Sequence, residues 1–282
     1  MSACNLRIIY SISGLSLKRE SLPVVLRICK VLCIPVRSTL QNLLRRVLRL
    51  PYLAEENMPV IVAANPKGGS GKSTTCIVLG TTLASQGASV RIIDADPQRT
   101  LARWSEGESA FRDIVVTPSQ SEDLTVLIDQ LQSKYQFVLI DVQGTANQEM
   151  VSAMSRADLV LIPMQAKTAD AEVATRAIGL LRTQENLFKR QIPHAIVFMR
   201  TSPIIITREE KEIRQNIEAA GVPRFESSLN ERTAFSHLFA YKRSLGELNT
   251  RDTNGLEAAQ QNAFELTAEM IQLLRKQQVA VA

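Results

Sequence analysis

Two lysines, three glycines and three hydroxyl side chains are concentrated in residues 65–74 of this 282-residue chain. After Asn65 and Pro66 they follow in the order Lys67, Gly68, Gly69, Ser70, Gly71, Lys72, Ser73 and Thr74. The glycines allow several backbone amides to turn toward one anion, and the lysines add positive charge. An apolar run precedes these residues and a helical pattern follows, so the start of a helix faces the same place. The residues predict a phosphate-binding loop; the alternative is a glycine-rich strand-to-helix turn without a ligand.

This loop departs from the general phosphate-loop pattern GxxxxGK[ST] at one position. Its end fits the pattern, but Pro66 occupies the place of the first glycine. A second lysine, Lys67, stands five residues before Lys72. In the predicted site Lys72 neutralises the terminal phosphate oxygens, the Ser73 hydroxyl is a ligand for Mg²⁺, and Thr74 supports the innermost phosphate.

Three aspartates follow apolar runs and are the candidate partners of a metal ion and of a reacting water. Asp94 and Asp96 come after one predicted strand, and Asp141 comes after another. Because parallel strands end at the same edge of a sheet, these carboxylates are expected beside the phosphate loop. One of the first pair would bind a Mg²⁺-bound water and the other would position the attacking water, with Asp141 on the metal side. The alternative for Asp96 is a helix N-cap, with Pro97 at the first helical position.

Apolar runs alternate with amphipathic stretches from residue 58 onward, which is typical of successive βαβ units. Strands are predicted at residues 60–64, 90–93, 114–117, 137–140, 159–162 and 195–198. Helices are predicted at residues 72–86, 98–105, 121–134, 169–184, 208–220, 231–240 and 256–276. The predicted fold class is α/β, a three-layer α/β/α domain over residues 58–282 with a mostly parallel, twisted sheet.

Residues 1–57 differ from this domain in charge. They contain nine Lys/Arg and three Glu, a net charge of +6, whereas the whole chain is +5. Apolar residues recur at helical spacing in residues 40–48, with Arg45, Arg46 and Arg49 among them, which predicts a basic amphipathic helix. The extension is interpreted as a membrane-surface contact, as a targeting or regulatory arm, or as an over-extended start before Met58, and the last is slightly favoured.

Cysteine usage and the charge of the domain narrow the classes of function. Cys76 is the only cysteine after residue 57, and no CxxC pair exists, which disfavours a disulfide framework and a cysteine-bound zinc or iron–sulfur site. A reducing, cytoplasmic compartment is therefore expected. Residues 182–243 carry eleven bases and seven acids, a net charge of +4. Such a basic region suits a polyanionic partner.

Together these motifs resemble the deviant Walker ATPases of the ParA/MinD group. The resemblance rests on residues 67–74, on Asp94-Ala95-Asp96-Pro97-Gln98 and on the strand that ends at Asp141. The resemblance covers roughly residues 58–275. Within the group, the chain is most similar to the small ParA proteins of plasmid partitioning and to the ParA-like proteins of DNA-transfer systems. The fold it implies is the phosphate-loop NTPase fold with a deviant Walker A loop.

The resemblance implies a slow, partner-stimulated ATP hydrolase that closes into an ATP-dependent homodimer. Lys67 would reach the partner protomer's phosphates, while Lys72, Ser73 and Thr74 would bind ATP–Mg²⁺ within one protomer. Asp96 would orient the hydrolytic water, and Asp94 and Asp141 would support the metal shell. Lys67, Lys72 and Asp96 are thus the catalytic candidates. Arg200 and Pro203 are candidates for the adenine pocket.

The leading functional hypothesis is ATP-dependent, non-specific binding of double-stranded DNA that positions a plasmid, aided by a small adaptor or centromere-binding protein and associated with the nucleoid. Basic residues of the third quarter are the candidate phosphate contacts. They are Arg182, Lys189, Arg190, Arg208, Lys211, Arg214, Arg232, Lys242 and Arg243, of which Arg232, Lys242 and Arg243 are favoured. The alternative is that several lie on solvated helix faces, as the 208–212 stretch suggests.

Two other functions remain open at this point. A MinD-like positioning ATPase would contact the membrane through the basic extension, although such anchors usually lie at the C-terminus; this contact is not favoured. A ParA-like protein that recruits a DNA-transfer complex would share the same site. A reductase on this fold would need cluster-binding cysteines, which Cys76 alone does not supply.

Overall fold

The computed structural model describes residues 58–119, 122–144 and 148–281. The predictions made for residues 1–57 lie outside them. The strands are β1 (Val60–Ala63), β2 (Val90–Ala95), β3 (Val115–Val116), β4 (Phe137–Val142), β5 (Leu159–Gln165), β6 (His194–Thr201) and β7 (Leu229–Asn230). The helices are α1 (Lys72–Ser85), α2 (Thr100–Ser105), α3 (Leu124–Gln132), α4 (Gln148–Arg156), α5 (Thr168–Phe188), α6 (Arg208–Ala219), α7 (Thr233–Ala240) and α8 (Leu256–Val281).

The described strands form one seven-stranded sheet in the order β3-β2-β4-β1-β5-β6-β7, and every neighbouring pair is parallel. The sheet order reverses direction at β1, because the chain runs outward to β2 and β3 on one side and to β5, β6 and β7 on the other. Open parallel sheets bind ligands at such a point, beyond the carboxyl ends of the strands. In this register Asp141 of β4 pairs with Asp94 on one side and with Ala63 on the other.

Both faces of the sheet are covered, which confirms the predicted three-layer α/β/α class. One buried cluster joins alternate strand residues such as Ile61 and Leu139 to α1, α2, α7 and α8. The other joins the intervening residues, such as Val62 and Ile140, to α3, α4, α5 and α6. Strands buried on both faces explain why their sequences are continuous apolar runs without alternation. No helix within the described ranges is long and apolar enough to span a membrane.

Several predicted bounds were wrong for identifiable reasons. Helix α4 was not predicted, because its nine residues bury only Met150, Ala153 and Met154. Strand β5 was predicted to stop before Pro163 but continues to Gln165. Proline has no amide hydrogen to donate, but Pro163 faces Asn65, beyond the end of β1. No residue of β1 therefore lacks a hydrogen-bond donor because of this proline. The short strand β7 was also missed.

Candidate functional site

The loop between β1 and α1 is fixed near its start by a buried asparagine. Asn65 is fully buried, and its amide donates to the Pro163 carbonyl at 2.7 Å. Its side-chain oxygen accepts a hydrogen bond from the Lys67 backbone amide at 2.8 Å. The start of the loop is therefore anchored to the end of β5. Sequence reasoning assigned Asn65 no role, since its partner lies 98 residues away.

Two glycines give this loop its shape. Gly69 and Gly71 have φ values of +70° and +104°, a region that L side chains rarely adopt. At Gly71 the packing adds a second constraint, because a Cβ would lie 2.6 Å from Cε of Met199. Gly71 is also the N-cap of α1, and no side chain caps that helix. The first amides of α1 are thus available to an anion.

Lys72 lies inside the loop. It is 7% exposed, and its ammonium contacts the carbonyls of Asn65 and Lys67 at 3.3 and 3.4 Å. Gly144 packs against the same place, because a Cβ there would lie 2.9 Å from the Pro66 carbonyl and 3.3 Å from the ammonium. Only glycine fits between the loop and the chain that follows β4. Sequence reasoning missed Gly144, although its place three residues after Asp141 was a usable signal.

The glycines and hydroxyl side chains of the loop have different surroundings. Gly68 and Gly69 border open space, since a Cβ on either would meet nothing within 4 Å. Ser73 and Thr74 are half-buried in the first turn of α1. Ser70 is buried, and its hydroxyl has no hydrogen-bond partner within the described residues.

Beneath the first turn of α1, Asp141 forms the centre of a buried acidic pair. The Ser73 hydroxyl donates to its Oδ2, while Oδ1 is buried without a partner in the part of the chain that the structure describes. Burial, above all, raises the pKa of Asp141 to about 7; the Ser73 hydrogen bond opposes this, and the charge of Asp94 adds to it. A divalent cation beside the orphaned oxygen would stabilise the charged form, so this donor set fits Mg²⁺.

Asp94 supports the start of α2 as well as facing this acidic centre. Its Oδ2 accepts a hydrogen bond from the Ala102 amide at 2.8 Å, and its Oδ1 accepts one from the Asp96 amide at 3.3 Å. Burial raises its pKa, while these backbone hydrogen bonds oppose the rise. A donor of the first helical turn is therefore satisfied by Asp94 rather than by a cap next to the helix.

The N-cap interpretation of Asp96 was wrong. Helix α2 begins at Thr100 and not at residue 98, and its N-cap residue is Arg99, with a φ of 51°. Asp96 instead closes a turn: its Oδ1 accepts from the Gln98 amide at 2.9 Å, and its carbonyl accepts from Arg99 at 2.8 Å. The turn leaves the Asp96 side chain half-buried at the same sheet edge as the phosphate loop.

Lys67 lies outside the cradle that holds Lys72. Its ammonium forms an ion pair with Oδ2 of Asp170 at 2.7 Å, and the side chains are 39% and 1% exposed. Asp170 belongs to the first turn of α5, and its Oδ1 is buried without a hydrogen-bond partner among the described residues. The two lysines of the loop therefore have different environments. Asp170 is the main site residue that sequence reasoning missed.

Arg200 and Pro203 lie at the carboxyl end of β6, on the sheet edge that carries the loop. Arg200 has a φ of 54° and occupies the irregularity in the pairing between β6 and β7. Both residues are exposed. They lie two strands from β1, and their role at the adenine stays a prediction.

The nine basic candidates do not form one surface. A depression of about 550 Å³ at the end of α5 is lined by Arg182, Lys189 and Arg190. It lies beside the segment that leads from α5 to β6. Arg190 is partly committed there, because its Nη2 donates to the carbonyls of Met154, Ser155 and Ala157.

The favoured candidates lie next to α7, which packs on the other face of the sheet from α5. Lys242 pairs with Glu106 at 2.9 Å, and Arg243 pairs with Glu108 at 3.1 Å. Arg232 has a buried Nε.

The remaining candidates belong to α6. Arg214 lies over the Phe198 ring at 4.2 Å and pairs with Glu210, and Arg208 pairs with Glu212. Lys211 is exposed.

Comparison with known proteins agrees with this geometry. Residues 61–245 match the model of the CobQ/CobB/MinD/ParA nucleotide binding domain. The curated protein ParA of Rhizobium radiobacter is 36% identical over 222 residues, which cover 77% of this chain and all of the relative.

Solved structures extend the similarity to the fold. Apo McdA of Cyanothece has a TM-score of 0.60 at 21% identity and covers 75% of this chain and 98% of its own. A putative plasmid partition protein of Borrelia burgdorferi, bound to AMPPNP, has a TM-score of 0.55 at 20% identity and covers 75% and 99%.

Proposed function

Because the chain belongs to the CobQ/CobB/MinD/ParA nucleotide-binding domain family, we propose that it is an ATPase of the partitioning type. In this proposal ATP closes two copies into a dimer, the dimer binds double-stranded DNA without sequence preference, and an adaptor protein stimulates hydrolysis. The location is the cytoplasm, on the nucleoid, and the cargo is a plasmid. The observation that carries the proposal is the pair of loop lysines, with Lys72 inside the phosphate cradle and Lys67 held outside it.

ATP and Mg²⁺ fit the residues around the loop. The amides from Gly68 to Ser73 and the Lys72 ammonium would hold the phosphates, while Ser73 and Asp141 would hold the metal shell, supported by Asp94. Bound Mg²⁺ would supply charge neutralisation at the reacting phosphoryl group. Arg200 and Pro203 are proposed beside the adenine, which is consistent with their place at the carboxyl end of β6.

Asp96 is proposed to orient the attacking water. The Gln98 amide donates to its Oδ1 and the Arg99 amide donates to its carbonyl, so the turn holds the carboxylate in place. Within the described residues this carboxylate forms no ion pair. Asp94 is less available for the same task, because both of its oxygens already accept backbone hydrogen bonds. The division of work between the two aspartates therefore follows from their hydrogen bonds.

Lys67 is proposed to act in the second protomer of the dimer. To reach a partner's phosphates it must leave Asp170, whose carboxylate would remain buried with no cation beside it. Breaking a fully buried ion pair costs about 3–5 kcal/mol, and less here because Lys67 is 39% exposed. The negative charge of ATP in the facing protomer offsets that cost. Hydrolysis is thereby coupled to dimer formation, as it is by an arginine finger in other phosphoryl-transfer enzymes.

Non-specific DNA binding requires cations that are free to contact phosphate. Arg182, Lys189 and Lys211 are exposed and form no ion pair within the described residues. They are the better candidates, whereas Lys242 and Arg243 would first have to leave Glu106 and Glu108.

An ATP-dependent DNA-binding measurement tests the proposal. We expect filter binding of random double-stranded DNA with ATP and little with ADP, weakening steeply as salt rises from 50 to about 200 mM because phosphate contacts release counterions. Asp96→Ala should retain ATP and DNA binding while turnover falls about 100-fold or more. Asp113→Ala, at a carboxylate that is 89% exposed, is the matched control. Equal DNA binding with ATP and ADP, or normal turnover in Asp96→Ala, would contradict the proposal.

A further inference from the structure

The segment between β6 and α6 exposes three consecutive isoleucines. Ile204, Ile205 and Ile206 are 89%, 65% and 64% exposed. They form an ordered turn, because the Ser202 hydroxyl accepts hydrogen bonds from the amides of Ile204 and Ile205 at 3.3 and 3.1 Å. Single exposed apolar residues are ordinary on protein surfaces, but a contiguous apolar group commonly marks an interaction site.

An open groove runs between α5 and α6, the helix that follows the isoleucine turn in the chain. It encloses about 490 Å³. Its apolar lining includes Ala171, Ala174, Ile178, Ile213 and Ile217, and small side chains on α5 leave room for a partner to approach. Helix α6 has twelve residues, so the groove is about 18 Å long, enough for three turns of a helix.

The charged side chains that line the groove are all acidic. Glu172, Glu209 and Glu212 line it, and no lysine or arginine does so among the described residues. All three carboxylates are exposed, and Arg208 pairs with Glu212 at the surface. An apolar floor between carboxylates fits an apolar stripe flanked by positive charge.

We propose that this groove, together with the isoleucine turn, binds a basic amphipathic helix of a partner protein. This inference rests on the proposed function only in naming the adaptor as the natural source of such a helix. A second copy of this chain fits less well, because a two-fold contact through the groove would place two acidic surfaces against each other. An anionic membrane surface is disfavoured by the same carboxylates.

The end of the groove near the start of α5 is close to the Lys67–Asp170 ion pair. Glu209 accepts hydrogen bonds from the Thr168 amide and hydroxyl at 2.8 and 2.9 Å, and both residues line the groove. Thr168 is two residues from Asp170, which pairs with Lys67. A bound helix would therefore touch the end of α5 that carries Asp170.

The test uses the full chain and a fluorescein-labelled, 14-residue helical peptide with leucine at i, i+3, i+4 and i+7 and lysine at most other positions. Fluorescence anisotropy without nucleotide should show saturable binding, and a peptide with glutamate in place of lysine should bind at least tenfold more weakly. Thr175→Trp fills the groove from an exposed position and should weaken binding at least tenfold. Serine at Ile204, Ile205 and Ile206 together should weaken it about fivefold.

Leu187→Ser is the matched control, because Leu187 is 67% exposed at the far end of α5 and does not line the groove. It should leave the peptide affinity unchanged. The inference is overturned if the lysine peptide does not bind, if both peptides bind equally, or if Thr175→Trp has no effect. It is also overturned if the isoleucine variant alters only self-association in sedimentation velocity or only flotation with anionic vesicles. The peptide assay contains no nucleotide, so it does not depend on ATPase activity. If the chain bound the peptide but had no ATPase activity, the proposed function would be refuted and the groove inference would stand.

Discussion

Two carboxylates, Asp170 and Glu247, each join parts of the chain that are more than 100 residues apart, but they do so in different ways. Asp170 is 1% exposed, holds only Lys67, and leaves one oxygen without a hydrogen-bond partner in the described residues. Glu247 accepts hydrogen bonds from the Ser109 hydroxyl, the Ala110 amide, and the amide and hydroxyl of Ser244. The first contact is incomplete and open to exchange, whereas the second is saturated and holds two loops together.

The environment of the second contact supports this distinction. The Glu247 region also contains the ion pairs Lys242–Glu106 and Arg243–Glu108, and a Cβ at Gly107 would lie 2.7 Å from the Lys242 carbonyl. Loops packed this closely have no room for another arrangement. The Lys67 side, in contrast, borders open space at Gly68 and Gly69. A buried charge with one replaceable partner suits a switch, and a carboxylate with four donors suits a clamp.

The largest effect is expected where the exchangeable contact is lost altogether. Lys67→Gln should lower ATP turnover about 1,000-fold or more, because a cation supplied to the transferring phosphoryl group has that worth. The affinity of one protomer for a fluorescent ATP analogue should change little. Equal losses of analogue affinity and turnover would show that Lys67 acts within its own protomer.

The saturated contact should instead control stability. Glu247→Ala removes the acceptor of four hydrogen bonds, and we expect a loss of about 2–3 kcal/mol in the free energy of unfolding, measured by urea denaturation. Turnover per folded molecule should be unchanged. Glu257→Ala, at an exposed position of α8, is the control and should fall within about 0.5 kcal/mol of the wild type. A loss of turnover per folded molecule, or an unchanged free energy of unfolding, would contradict the structural role of Glu247.

Weakening the exchangeable contact without deleting Lys67 should produce a gain. Asp170→Asn keeps the shape of the side chain but removes its charge, so Lys67 is released at lower cost. We expect ATP-dependent dimerisation, followed by sedimentation velocity, to strengthen about tenfold, which corresponds to about 1.4 kcal/mol. Weaker dimerisation at unchanged stability would mean that Asp170 positions Lys67 for its task rather than retaining it.

The smallest effect concerns pH. Burial tends to raise the pKa of Glu247, but the hydrogen bonds from Ser109, Ser244 and Ala110 outweigh it, so the pKa lies below the usual 4.5. A lowered folded-state pKa contributes stability that is complete above the unfolded-state value and is lost as pH falls through the folded-state value. The stability difference between wild type and Glu247→Gln should therefore shrink by about 1 kcal/mol or less below pH 4.5. A difference that grows on acidification would contradict the assignment.

The outcome of the sequence predictions follows the range of the interactions involved. The parallel α/β fold is confirmed, since apolar strands and amphipathic helices are local patterns. Placing Asp94 and Asp141 on adjacent strand ends also agrees with the register of β2 and β4. The N-cap interpretation of Asp96 was wrong, because the first turn of α2 takes its acceptor from Asp94, eight residues before Ala102. The individual roles of the loop residues and of the DNA contacts stay predictions.

The sequence by itself determined the phosphate loop, because its glycines, lysines and hydroxyls are contiguous and their backbone geometry is local. It also determined that a second lysine stands beside that loop. Only the tertiary structure decided that Lys72 and Lys67 have different partners, one inside the cradle and one on Asp170. Lys67 and Asp170 are 103 residues apart, and no local pattern pairs them. Their contact exists because β1 and β5 are neighbours, which brings the first turn of α5 beside the loop.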